Sequence, residues 1–137
     1  MIFFLFIALL FISYVDIKTK VIKDGITLFG ILIALNWHLF IGNITVAVLG
    51  MTAGVGIAWG MELFKLNRLG GGDVKLLALI GACMGWQVAV STAITAFIIF
   101  LPVKYRSKQK KVAYAPFITM SFVLVNLWLI VTSFLRI

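Results

Sequence analysis

The 137 residues carry a net charge of +8, yet only 12% of them are charged and 64% are hydrophobic, with a mean hydropathy of +1.19. A soluble domain has about a quarter of its residues charged, so this balance excludes one and describes a polytopic integral membrane protein. The length suits a single domain, 1–137, with no room for a soluble catalytic module. The twelve Lys and Arg fall in short clusters between apolar runs, as membrane-flanking charges do. No basic helix or aromatic platform accompanies them, so anionic lipid headgroups are the expected partners and nucleic acid is not. Cys83 is the single cysteine, which excludes an internal disulfide or a zinc site of paired cysteines. Lying inside an apolar run, it reads as a small core residue.

In chain order, apolar runs occupy 2–15, 26–41, 44–64, 76–103 and 112–135. The first has the length of a signal-peptide core, but no basic residue precedes it and Ser13-Tyr14-Val15-Asp16 is a poor cleavage site, so a retained span is expected. The first two runs are short for a span of ~17–25 residues; Lys18, Lys20 and Lys23 can snorkel from their ends. Asp24 precedes Gly25 and reads as the N-terminal residue of the second helix. Trp37 and His38 belong at an interface, together with Trp86. His38 has no second ligand beside it and reads as an interfacial residue rather than a metal ligand. Gly50, Gly54, Gly56 and Gly60 supply two small-xxx-small spacings in the third run, a pattern for tight helix packing. Glu62, near its end, is within i,i+3 reach of Lys65, an interfacial pair with a minor role in a site left open.

The 28 residues of 76–103 are either one long tilted helix or two short ones. A single crossing puts Lys104, Arg106, Lys108, Lys110 and Lys111 on the face opposite the other basic clusters, against the positive-inside rule. Two crossings keep 11 of the 12 basic residues inside, leaving only Arg136 outside, with a break at Gly85-Trp86-Gln87. The expected fold is therefore an all-α bundle of about six transmembrane helices with both termini outside. Two helices are expected to be short, because each half of the divided run has about 14 residues and needs shielding by its neighbours.

Two of the four acidic residues then stand out. Asp16 closes the first apolar run, and Asp73 follows Gly70, Gly71 and Gly72, glycines that permit sharp turns and close backbone approach. Carboxylates in a greasy chain are expensive. On the two-crossing topology both fall at the cytoplasmic end of the membrane. Paired carboxyls in a partly dry site share a proton, so one accepts a proton from water while the other donates to a carbonyl oxygen. That is aspartic protease chemistry, and it requires no metal and no cofactor. Against it stands the plainer reading in which each aspartate merely ends a helix at the membrane surface, favourably so for Asp73 at a helix N-terminus.

Gly70-Gly71-Gly72-Asp73 matches the GxGD signature of intramembrane aspartyl proteases, and its continuation Val74-Lys75-Leu76-Leu77-Ala78 resembles the version in type IV prepilin peptidases. The stretch from Asp16 to Gly25 resembles that family's other aspartate motif, and Tyr114-Ala115-Pro116-Phe117 is similar to the stretch opening its last helix. Lys23 and Ala113 stand where the family commonly has Pro. The resemblance implies that Asp16 and Asp73 are catalytic, that Gly70, Gly71 and Gly72 form the loop facing the substrate, and that the chain cleaves the leader of prepilin-like proteins at the cytoplasmic face of a prokaryotic inner membrane. It also implies the small, Flp-type form, without the CxxC-bearing region associated with N-methylation. Two rivals remain: a small transporter using the aspartates as ion sites, and a non-catalytic membrane subunit of a secretion apparatus.

Overall fold

A computed structural model describes residues 2–19, 24–63, 71–106 and 114–135. Among these residues there are six helices and no strand: α1 (Ile2–Thr19), α2 (Asp24–Ile41), α3 (Ile44–Leu63), α4 (Gly71–Met84), α5 (Trp86–Arg106) and α6 (Ala115–Leu135). Helices are what lipid demands, since each backbone N–H and C=O must find a partner within its own segment. Four of them, α1, α3, α5 and α6, are long and apolar enough to cross a membrane, and 25–41 of α2 forms a shorter apolar helix. Large side chains such as Phe3, Phe29, Phe40, Trp59 and Trp128 point outward, the surface expected of a bundle solvated by acyl chains.

Two glycines set the breaks. Gly42, with φ of 80°, ends α2, where Asn43 N–H donates to the His38 carbonyl at 2.9 Å. The Asn43 carbonyl then accepts from Val46 N–H, and α3 begins at once. Gly85, with φ of 88°, divides α4 from α5, with hydrogen bonds on both sides: its N–H donates to the Gly81 carbonyl at 2.8 Å, and its carbonyl accepts from Ala89 N–H at 3.3 Å. The left-handed conformation is what turns the chain in one residue. The two halves are unequal, however. α4 has 14 residues, but α5 has 21, because the helix continues through Pro102 to Arg106, and 86–103 is long enough to span by itself.

The short α4 is the centre of the molecule. It packs against all five other helices, and every residue from Leu76 to Cys83 is buried. Its deficit in length is thus covered by protein rather than lipid. Small residues allow that closeness. A Cβ on Gly50 of α3 would collide with the Gly81 carbonyl of α4, one on Gly81 would collide with Gly50, and one on Gly54 would lie 2.5 Å from the Leu77 carbonyl oxygen. The second small-residue spacing behaves differently, since among the described residues a Cβ on Gly56 or Gly60 would meet nothing within 4 Å. Only the Gly50–Gly54 pair makes the tight crossing. Cys83 is free and buried, as expected of a small core residue.

The contacts also fix direction. Gly50 faces Gly81 and Gly54 faces Leu77, so α3 and α4 are antiparallel. Gly30 approaches Leu79 while His38 Nε2 lies 3.3 Å from the Cys83 carbonyl, so α2 and α4 are parallel. Successive helices alternate, as the two-crossing reading requires. Trp37, His38 and Trp86 gather at the end where α2 and α4 finish, with both tryptophans half exposed.

Candidate functional site

The opposite end of the bundle collects the C-terminal turn of α1 and the N-termini of α4 and α6. Asp16 lies one turn before the end of α1 and is only 5% exposed. Its Oδ2 accepts a hydrogen bond from Ala115 N–H at 3.2 Å. Ala115 is the first residue of α6, so the carboxylate satisfies one of the free N–H groups of that helix and faces the positive end of its dipole. Asp73 is in the first turn of α4 and 8% exposed. A helix of 14 residues buried on all sides brings this carboxyl into the protein rather than into lipid.

Tyr114 joins the two. Its backbone carbonyl caps α6, accepting from Phe117 N–H at 3.0 Å and Ile118 N–H at 3.2 Å. Its ring is 4% exposed and stands edge-on to Phe100 of α5, with centroids 4.9 Å apart. Burial holds the phenol proton on, and the nearby negative charge of Asp73 adds to this. The residue that follows Tyr114 thus binds Asp16, while its own ring lies within the field of Asp73.

A polar seam continues inward from Asp16 between α1 and α6. The Ser13 and Thr119 hydroxyls are 2.5 Å apart, and Thr119 Oγ1 also donates to the Ala115 carbonyl at 3.0 Å. Both residues are buried. Sequence reading passed over them, although Ser13 lies three residues before Asp16 and Thr119 four after Ala115, the spacing that aligns side chains on one helix face.

Of the predicted motif glycines, Gly70 lies outside the described residues. Gly71 opens α4 in an exposed position, and among the described residues a Cβ there would meet nothing within 4 Å. Gly72 is half-buried. Glu62 is exposed at the same end of α3, lining a shallow hollow of about 170 Å³ with Trp59 and Leu63; its expected partner Lys65 lies outside the described residues. The larger hollow, about 420 Å³ between Leu49, Thr52, Ala53 and Trp86, opens at the far end and contains no titratable group. Asp24 begins α2 as expected.

The fold and this end of the bundle define a polytopic α-helical membrane protein with two buried carboxyls near one membrane face. The chain belongs to the type IV leader peptidase family, whose model matches residues 3–104, a stretch that includes both aspartates and stops short of Tyr114. It is 34% identical over 123 residues to a prepilin leader peptidase/N-methyltransferase of Burkholderia pseudomallei (strain 1026b), covering 80% of this chain and 39% of that protein. Similar proteins of the same name occur in Dickeya chrysanthemi, 30% identical over 138 residues (87% of this chain, 46% of the relative), and in Escherichia coli K12, 37% identical over 92 residues (62% and 41%). The chain therefore spans less than half the length of these relatives. No solved structure matches it.

Proposed function

We propose that this chain is an aspartyl endopeptidase that cleaves the leader of prepilin-like proteins at the cytoplasmic membrane face, with Asp16 and Asp73 as its catalytic pair. The observation that carries the reading is that α1 and α4, distant in sequence, each deliver a buried aspartate to the same end of the bundle. The names of the relatives supply the substrate class.

The chemistry follows from one ionised and one protonated carboxyl. The carboxylate takes a proton from water as the water oxygen bonds to the scissile carbonyl carbon. The carbonyl π pair moves onto its oxygen, which takes the proton of the other carboxyl. The gem-diol then collapses: the C–N bond breaks, the leaving nitrogen takes the proton first drawn from water, and a hydroxyl proton returns to the second carboxyl. One water has been added across the peptide bond, and the pair is back in its starting state. Among the described residues nothing lies within 4 Å of a Cβ placed on Gly71, which leaves an extended substrate backbone room to approach the first turn of α4. A transporter is the weaker reading, because intramembrane ion sites lie near the midplane, whereas Asp16 and Asp73 occupy terminal turns.

Purified protein in liposomes, given a synthetic prepilin with its leader and first apolar helix, is expected to release the leader as one discrete peptide by mass spectrometry. An intact substrate after prolonged incubation sinks the peptidase reading. Orientation is checked separately in a Cys83→Ala background. A cysteine at Asn43 should react with an impermeant maleimide in intact cells, and one at Ser107 only after the membrane is opened. The reverse pattern would put the aspartates outside.

A further inference from the structure

Four described residues carry a buried side-chain atom without a hydrogen-bond partner: His38 (Nδ1), Thr92, Tyr114 and Ser121. Thr92 and Ser121 are hydroxyls well inside α5 and α6, and His38 lies at the far end of the bundle. Of these four, Tyr114 is the one at the aspartate end. Buried polar groups in folded proteins are nearly always paired, and an exception asks for an explanation. Here the donor is also held still. The Tyr114 carbonyl caps α6, its ring is wedged edge-on against Phe100, and its neighbour Ala115 holds Asp16.

Resting on the peptidase reading above, we infer that the Tyr114 hydroxyl is a further catalytic group, donating a hydrogen bond to the scissile carbonyl oxygen as it takes on negative charge. That oxygen has two lone pairs. The protonated carboxyl of the aspartate pair serves one, and a fixed phenol serves the other without transferring its proton. A donor aimed in advance at developing charge in a water-poor site is the arrangement that lowers a barrier most effectively. The unpaired hydroxyl of the resting protein is then a group whose partner arrives with the substrate.

The test uses the liposome assay with wild type, Tyr114→Phe, and 3,5-difluorotyrosine placed at 114. Phe keeps the ring and its contact with Phe100 and removes only an unpaired hydroxyl, so thermal stability should be unchanged or higher. The expected result is a fall in kcat on the order of 10²-fold with KM nearly unchanged. The fluorinated residue keeps the hydroxyl and makes it a stronger hydrogen-bond donor, and should raise kcat at the pH optimum above the wild-type value with KM nearly unchanged. Wild-type kcat in Tyr114→Phe overturns the inference and leaves the peptidase reading standing. If Tyr114→Phe loses stability along with activity, the fluorinated protein decides, and a kcat unmoved by the stronger donor overturns the inference. Absence of cleavage by wild type overturns both readings, and is seen before any variant is compared.

Discussion

Asp16→Asn and Asp73→Asn are each expected to lower leader cleavage by about 10²–10⁴-fold, the range contributed by a positioned acid or base, while leaving the bundle folded. Asparagine has the shape of aspartate but cannot cycle a proton, so it separates chemistry from structure. At position 16 the side-chain amide oxygen can still accept from Ala115 N–H, and the link between α1 and α6 survives. At position 73 asparagine keeps the shape of the side chain, and the change includes loss of a favourable charge near a helix N-terminus, worth up to about 2 kcal/mol where partly buried. kcat of the purified variants, read beside their thermal midpoints, is the measurement. A variant that cleaves at the wild-type rate would make its aspartate structural and revive the scaffold reading. The double variant should be hardly slower than either single one, because groups acting as a unit are strongly non-additive.

Replacing Gly81 with alanine should be, with Gly50→Ala, among the most damaging single methyl additions at the described glycines. Its Cβ would collide with the Gly50 backbone, and neither chain can swing aside as a flexible side chain would. The helices must separate along the α3–α4 crossing, exposing the buried residues from Leu76 to Cys83. The penalty should exceed the ~1–3 kcal/mol of an ordinary overpacked site. Gly50→Ala should behave alike, since the same two backbones meet there. Gly56→Ala is the control: the same change, on the same helix as Gly50, with nothing within 4 Å among the described residues. It should be neutral or stabilise by about 0.5–1 kcal/mol through backbone entropy. Thermal midpoints in detergent would check all three. Equal midpoints for Gly81→Ala and Gly56→Ala would show that the crossing is not tight.

Much of the architecture was legible in the sequence because lipid leaves few choices. Apolar runs in a chain with 12% charged residues must be helices, and six are found among the described residues. The division of 76–103 was readable from the charges at 104–111 alone, and the structure places the turn at Gly85. Asp16 and Asp73 were legible as candidates because a carboxyl is conspicuous in such a chain, and both are found buried at one end.

Other features depended on the packed structure. Composition cannot say which small-residue pair makes a crossing: Gly50–Gly54 and Gly56–Gly60 have the same spacing, and only the rotation of α3 against α4 separates them. The length of α5 was misjudged because the run 76–103 was divided into equal halves, whereas the turn at Gly85 divides it unequally and α5 continues past Pro102 to Arg106. Ser13 and Thr119 were unmarked because hydroxyls are common in membrane helices, where they usually bond to the carbonyl four residues back, and Tyr114 was marked only as part of the stretch that opens the last helix. Their meaning arises when α1 and α6 bring Ser13 against Thr119 and Ala115 against Asp16, about a hundred residues apart in the chain. Local chemistry and the membrane determined the helices, their order and the two conspicuous acids. Only the tertiary contacts decided which neighbours those acids have, because hydrogen bonds and edge-on rings between distant segments leave no periodic trace in sequence.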